Sequence, residues 1–218
     1  MPYQIPSTVR AVIFDLNGTM VRDGEYQRLA YRQFFLKHHL QVTDEEYQAK
    51  AASRLNREVW PAVFGRPVEE AEADRMLQEK EGFYEEAYAG KVEEVPGLSQ
   101  LLAGLHTRGV KLAVATASYE RAAFFVLDAL GIRPLFDVIV TGEHVSRGKP
   151  DPQIYLEAMR RLGVGPEESV AFEDSPRGIQ AAVAAGIPVV GVVGDYGSQQ
   201  LESLGVSGLV ADFLQVAW

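Results

Sequence analysis

The sequence contains no cysteine in its 218 residues. Disulfides, thiolate metal ligands and a cysteine nucleophile are therefore excluded together. It also lacks any apolar run near the roughly 20 residues that span a bilayer. No basic segment followed by a long apolar core opens the chain, so no signal peptide is expected and a cytoplasmic setting is. Positive charge is in short supply: 21 Lys and Arg stand against 30 Asp and Glu, for a formal charge of −9. A general nucleic-acid surface needs a basic stripe, so neither nucleic acid nor membrane is expected as a partner. No internal repeat or low-complexity tract breaks the chain.

What is present fits an ordinary globular protein, with 47% apolar and 23% charged residues. The length suits one large domain or two small ones, with enough chain to bury a sizeable core. Acidity is uneven. Thr43 to Val95 carries fourteen acidic and seven basic residues, so most of the net charge falls in about a quarter of the chain. Such a region reads as solvated helix faces. It gives an anionic substrate no long-range attraction, so local cations must capture it.

The β-branched and apolar run Val9 to Phe14 predicts a buried strand that ends at Asp15. Gly18 then permits a turn that other residues resist. From about Val21 to Glu94 the pattern is helical: Gly24 to His39, a capping-box start at Thr43-Asp44-Glu45-Glu46, and further starts at Asn56 and Pro67. In the last of these, Ala73, Met76, Leu77, Tyr84, Ala87 and Tyr88 recur at helical spacing up to a stop at Gly90. His38 and His39, being adjacent, point different ways and read as surface or packing residues. After Pro96-Gly97 the pattern changes. Strands at Lys111 to Ala115, Asp137 to Val140, Ser169 to Phe172, Val189 to Val193 and Gly208 to Val210 alternate with helices. That alternation predicts an α/β fold: a parallel sheet with helices on both faces, plus an inserted all-helical segment. The expected domains are 1–20 with 95–218 as the core and 21–94 as the insert.

Four short segments fall at strand ends or just beyond them: Asp15-Leu16-Asn17-Gly18-Thr19, Thr116-Ala117-Ser118, Gly148-Lys149-Pro150 and Glu173-Asp174-Ser175. Each alone has a plainer reading. Asp15 and Asn17 can shape a turn, Thr-Ala-Ser can cap a helix, and Glu-Asp can be a solvated loop. Together they supply a carboxylate nucleophile, a hydroxyl with backbone N–H groups, a fixed cation and hard oxygen ligands, which are the needs of phosphoryl transfer.

In this order the segments resemble those of the haloacid dehalogenase-like superfamily, in its β-phosphoglucomutase and phosphoglycolate phosphatase-like branch. The resemblance covers essentially the whole chain and implies a Rossmann-like core closed by a helical cap. It further implies a phosphatase acting on a small phosphorylated metabolite, with Asp15 as nucleophile forming an aspartyl-phosphate. Thr116, Ala117 and Lys149 would hold the phosphoryl group. Mg²⁺ would be bound by Asp15, the backbone carbonyl of Asn17, Asp174 and Glu173. In the cap, Ser53-Arg54 and Lys80 resemble substrate-gripping positions, although both charges also read as helix-surface residues. Ser118 reads as a helix cap.

The sequence departs from this pattern at Asn17, where relatives carry the Asp that moves protons to and from the leaving group. An amide cannot perform that role near neutrality. A substitute acid could come from Asp23, Glu25 or the cap. A second departure is Gln27 after Glu25-Tyr26, where the mutase relatives have His. The alternatives are a β-phosphoglucomutase-like isomerase and a weakened binder of phosphorylated ligands. Asn17-Gly18 also has the sequence of a slowly deamidating pair, which would yield a trace of aspartate in place of Asn17.

Overall fold

The computed structural model describes residues 2–52 and 54–218. A two-residue strand β1 (Tyr3–Gln4) precedes β2 (Ala11–Phe14). Four helices follow: α1 (Gly24–Lys37), α2 (Asp44–Lys50), α3 (Asn56–Phe64) and α4 (Glu70–Tyr88). The remainder alternates: α5 (Leu98–Thr107), β3 (Lys111–Ala115), α6 (Glu120–Ala129), β4 (Val138–Val140), α7 (Gln153–Leu162), β5 (Ser169–Glu173) and α8 (Pro176–Ala184). Then come β6 (Val189–Val192), α9 (Ser198–Glu202), β7 (Gly208–Val210) and β8 (Val216–Ala217).

Six strands form one parallel sheet in the order β4-β3-β2-β5-β6-β7. Strand order reverses at β2: the chain first moves outward through β3 and β4, then returns to β2's other side with β5. In such a sheet the crevice beyond the strand ends at this reversal is the natural ligand site. Phe14 is in register with Val114 and with Phe172.

The alternation of β2 explains why it is apolar throughout. Val12 and Phe14 belong to a core shared with Leu98, Leu101, Leu105 and Val126, whereas Ala11 and Ile13 belong to one shared with Tyr155, Ala158, Ile179 and Ala182. A strand covered on both faces needs apolar side chains on both. Phe14 stacks on Phe172 with ring centroids 5.3 Å apart.

The helical segment has its own core of Tyr31, Phe34, Phe35, Val59, Trp60 and Met76. Its entry and exit touch: Val21 bridges Glu94, and the Val95 N–H donates to the Met20 carbonyl at 2.8 Å. The Thr43 capping box forms as the sequence predicts, with Glu46 N–H donating to Thr43 Oγ1 at 3.2 Å. One of the two further predicted helix starts shifts. Asn56 is the first helical residue, behind a Leu55 cap, and α4 begins at Glu70, three residues after Pro67. The terminal strands β1 and β8 pair in parallel and have no sequence signal at that length. Among the described residues no helix is long and apolar enough to cross a membrane.

Candidate active site

β2, a central strand, delivers Asp15 to the carboxyl edge of the sheet, and the turn after it is built on Gly18. That residue has φ +84, and a Cβ there would lie 2.1 Å from Asp174 Oδ2. Glycine is thus required twice, by backbone conformation and by the close approach of a carboxylate. β3 ends at the residue before Thr116, β5 ends at Glu173, and the segment before α7 carries Lys149. Asp15, Asn17, Thr116, Ala117, Lys149 and Asp174 line one cleft of about 630 Å³ between the sheet edge and the helical segment.

Lys149 is the centre of this arrangement. Its Nζ donates to Asp15 Oδ1 at 2.6 Å, to the Ala115 carbonyl at 3.1 Å and to Glu173 Oε1. Burial opposes its charge, but the carboxylates of Asp15 and Glu173 outweigh that and hold the ammonium above its usual range. Glu173 is fully buried and satisfied on both oxygens. Oε1 also accepts from Tyr155 OH at 3.0 Å, and Oε2 accepts from Ser175 N–H and Ser175 Oγ.

One oxygen each from Asp15, Glu173 and Asp174 lie within 4.8 Å of one another. Three buried carboxylates against one ammonium leave the cluster over-supplied with negative charge. Burial pushes Asp15 up to about 7 against the pull of Lys149, with the Glu173 charge adding to the push. Burial also drives Asp174 well above the carboxylate range, reinforced by Glu173 and Asp15. An all-oxygen, anion-rich cluster of this kind suits a hard divalent cation. The residues present therefore fit Mg²⁺.

Asn17 is held at both ends of its side chain. Nδ2 donates to Asp23 Oδ2 at 2.6 Å, and Oδ1 accepts from Ser118 Oγ at 2.6 Å and Thr116 Oγ1 at 3.4 Å. Ser118 therefore contacts the site, contrary to its reading as a helix cap; the cap of α6 is Tyr119. Asp23 Oδ2 also accepts from Tyr84 OH at 2.7 Å and Gln27 Nε2 at 3.0 Å. Burial, with the Asp23 charge second, holds the Tyr84 phenol well above its ordinary range, so it stays a donor.

Arg54 and Lys80 both line the cleft. Arg54 is half-buried and donates from Nε to the Ala49 carbonyl at 3.1 Å. Ser53, read with it in the sequence, lies outside the described residues. Lys80 is 3% exposed, so it is a buried residue rather than a helix-surface charge. Its Nζ donates to Gln27 Oε1 at 2.8 Å and Glu81 Oε1 at 3.2 Å.

Sequence reasoning missed Tyr155, Tyr84 and Glu81. Tyr155 gives no signal beyond an apolar stripe on α7. Glu81 does give one, because the stripe on α4 steps from Leu77 to Tyr84 and the turn between them is Lys80-Glu81. Two opposite charges in the gap of an apolar stripe mark a buried pair.

A family model, haloacid dehalogenase-like hydrolase, matches residues 12–192. The chain is 32% identical to a validoxylamine A 7'-phosphate phosphatase of Streptomyces hygroscopicus subsp. limoneus, over 96% of each chain. It is 35% identical to a phosphorylated carbohydrates phosphatase of Thermotoga maritima, over 85% of this chain and 86% of that one. The fold resembles a crystal structure of a mutant CbbY from Rhodobacter sphaeroides in complex with xylulose 1,5-bisphosphate. For that pair the TM-score is 0.83 and the identity 29%, over 94% of this chain and 95% of the other.

Proposed function

Because the chain belongs to the haloacid dehalogenase-like hydrolases, we propose that it is a Mg²⁺-dependent phosphatase of small phosphorylated carbohydrates, working through an aspartyl-phosphate on Asp15. The observation that carries this reading is Lys149, which ties the Asp15 carboxylate lining the cleft to the buried Glu173. Residues 21–94 are taken as the cap that closes over the site.

In this mechanism Asp15 attacks phosphorus and the ester oxygen departs. Lys149 orients the Asp15 carboxylate and offsets charge on the phosphoryl oxygens. The Thr116 hydroxyl and the Ala117 N–H bind those oxygens, as preorganised donors that need no rearrangement during transfer. Water then attacks the aspartyl-phosphate, releasing phosphate and regenerating Asp15. Mg²⁺, held by Asp15, Asp174 and the Asn17 carbonyl with the Glu173 charge behind them, would neutralise the phosphoryl oxygens and stabilise their developing charge. Glu173 works chiefly as an anchor, since its oxygens already accept from Lys149, Tyr155 and Ser175.

Asn17 cannot protonate the departing oxygen, and its amide is already bonded to Asp23 and Ser118. Turnover should therefore favour esters whose leaving group needs little protonation. The same observation favours a second reading, a protein that binds phosphorylated carbohydrates and turns them over weakly.

The test is phosphate release from a panel of sugar phosphates and one aryl phosphate, with Mg²⁺ or EDTA, on the wild type and Asp15→Asn. Metal-dependent release that disappears in Asp15→Asn is expected. Release that survives in Asp15→Asn or ignores EDTA would overturn the reading. Saturable binding without release would favour the binder.

A further inference from the structure

Resting on the phosphatase reading, we infer that Glu81 is a specificity-determining residue that accepts a hydrogen bond from a neutral hydroxyl on the substrate's non-phosphate part. Glu81 is 1% exposed, and its Oε1 takes Lys80 Nζ. Its Oε2 is buried with no hydrogen-bond partner among the described residues. A carboxylate oxygen removed from water and left unpartnered is costly, and such exceptions in native proteins call for a specific account. Among the described residues Glu58 Oε2 is a second buried oxygen of this kind, but Glu58 does not line the cleft, whereas Glu81 does.

The surroundings say what kind of donor belongs there. A hydrogen-bonded chain starts beside the nucleophile: Asn17 and Gln27 both donate to Asp23, while Lys80 donates to Gln27 and to Glu81. Glu81 Oε2 is the open end of that chain. The Lys80 and Glu81 charges compensate each other, and Arg28 is paired with Asp195 across the same cleft at 3.0 Å. A carboxylate or second phosphate set against Glu81 would meet a like charge in a desolvated place. A hydroxyl donates to Oε2 and leaves the ion pair intact. The substrate group set against Glu81 is therefore a hydroxyl, and esters that place a carboxylate there are disfavoured. A site built to bond a hydroxyl discriminates strongly against the analogue lacking it.

The experiment is titration calorimetry with Mg²⁺ on the Asp15→Asn protein, which removes turnover from the measurement. The probes are a hexose 6-phosphate, its singly deoxygenated analogues and phosphoglycolate. One deoxy analogue should bind about tenfold or more weakly than the parent, and phosphoglycolate more weakly still. Adding Glu81→Gln should shrink the parent-to-deoxy ratio to within about threefold. Should that variant fold poorly by thermal melting, the paired change Lys80→Met with Glu81→Leu removes both charges together and should shrink the ratio equally. Equal binding of all analogues, a ratio that persists in the variants, or tighter phosphoglycolate binding would overturn the inference. Wild-type phosphate release without a Glu81-dependent ratio overturns this inference alone. A Glu81-dependent ratio without release overturns the phosphatase reading alone.

Discussion

Asn17 Nδ2 donates to Asp23 Oδ2 at 2.6 Å, joining the loop after β2 to the residue that caps α1. The same oxygen accepts from Tyr84 and Gln27 on the helical segment. Asn17 thus acts as a neutral strut between sheet edge and helices. Three neutral donors converge on one carboxylate oxygen of Asp23.

Asn17→Asp should restore proton transfer. The new carboxyl would face Asp23 where the amide now donates, and two carboxyls at that distance cannot both ionise near neutrality. The shared proton is then available to a departing oxygen. Turnover of alkyl phosphates should rise by roughly 10²–10⁴-fold, the ordinary worth of a positioned acid, and turnover of aryl phosphates by much less. Phosphate-release assays on both ester types check this; equal or lower turnover of alkyl esters would refute the missing-acid account.

Metal and pH should be coupled through Asp15. Its folded value of about 7 lies above the ordinary 3.8, so between those values the metal-free native state keeps a proton that the unfolded chain has lost. Stability from this group therefore falls as pH rises through that window, and Asp174 acts in the same direction. Cation binding needs the ionised carboxylates, so the Mg²⁺-induced rise in Tm should be larger at pH 8 than at pH 5. Asp15→Asn should flatten that difference. Melting curves in Mg²⁺ and EDTA across this range provide the check, and a pH-independent rise would count against the cluster as the metal site.

Gly178→Ala tests how tightly the site is braced from below. A Cβ at Gly178 would fall 1.7 Å from Glu173 Oε1, the atom that receives Lys149 and Tyr155. Glu173 must move or the helix must shift, at a cost of about 1–3 kcal/mol typical of overpacking. Phosphate affinity should fall with it. Gly82→Ala is the control: a Cβ there meets nothing within 4 Å, inside α4, and should stabilise by up to about 1 kcal/mol. Denaturant midpoints of the two variants should move in opposite directions.

The sheet was legible because each of its strands is a short apolar run bounded by turn residues, and β2 needed apolar residues on both faces. The four site segments were legible because each ends or follows a strand. Less could be read where partners lie far apart in sequence. Tyr84 and Asp23 are 61 positions apart and Tyr155 and Glu173 are 18 apart, and nothing in either local pattern announces the bond. The start of α4 misled because Pro67 has the chemistry of a helix entry, while the first turn begins only at Glu70; Asn56 does open α3. Lys80 and Glu81 stood in plain view as a break in the α4 stripe.

The fold should also protect Asn17 from the deamidation that its sequence invites. Ring closure requires the Gly18 nitrogen to attack the Asn17 side-chain carbonyl carbon. Here the Gly18 N–H donates to the Val21 carbonyl at 2.8 Å, with Gly18 at φ +84. The Asn17 amide is fixed at one end by Asp23 and at the other by Ser118. Reaching the cyclic intermediate means breaking these bonds together, so the rate should track opening of the loop rather than its sequence. Peptide mass spectrometry after incubation at pH 8 should find Asn17 intact in the native protein and converted in urea. Conversion at the same rate in both would show that the loop opens freely, and any activity of the native preparation would then have to be re-measured against the fraction of Asn17 converted to aspartate.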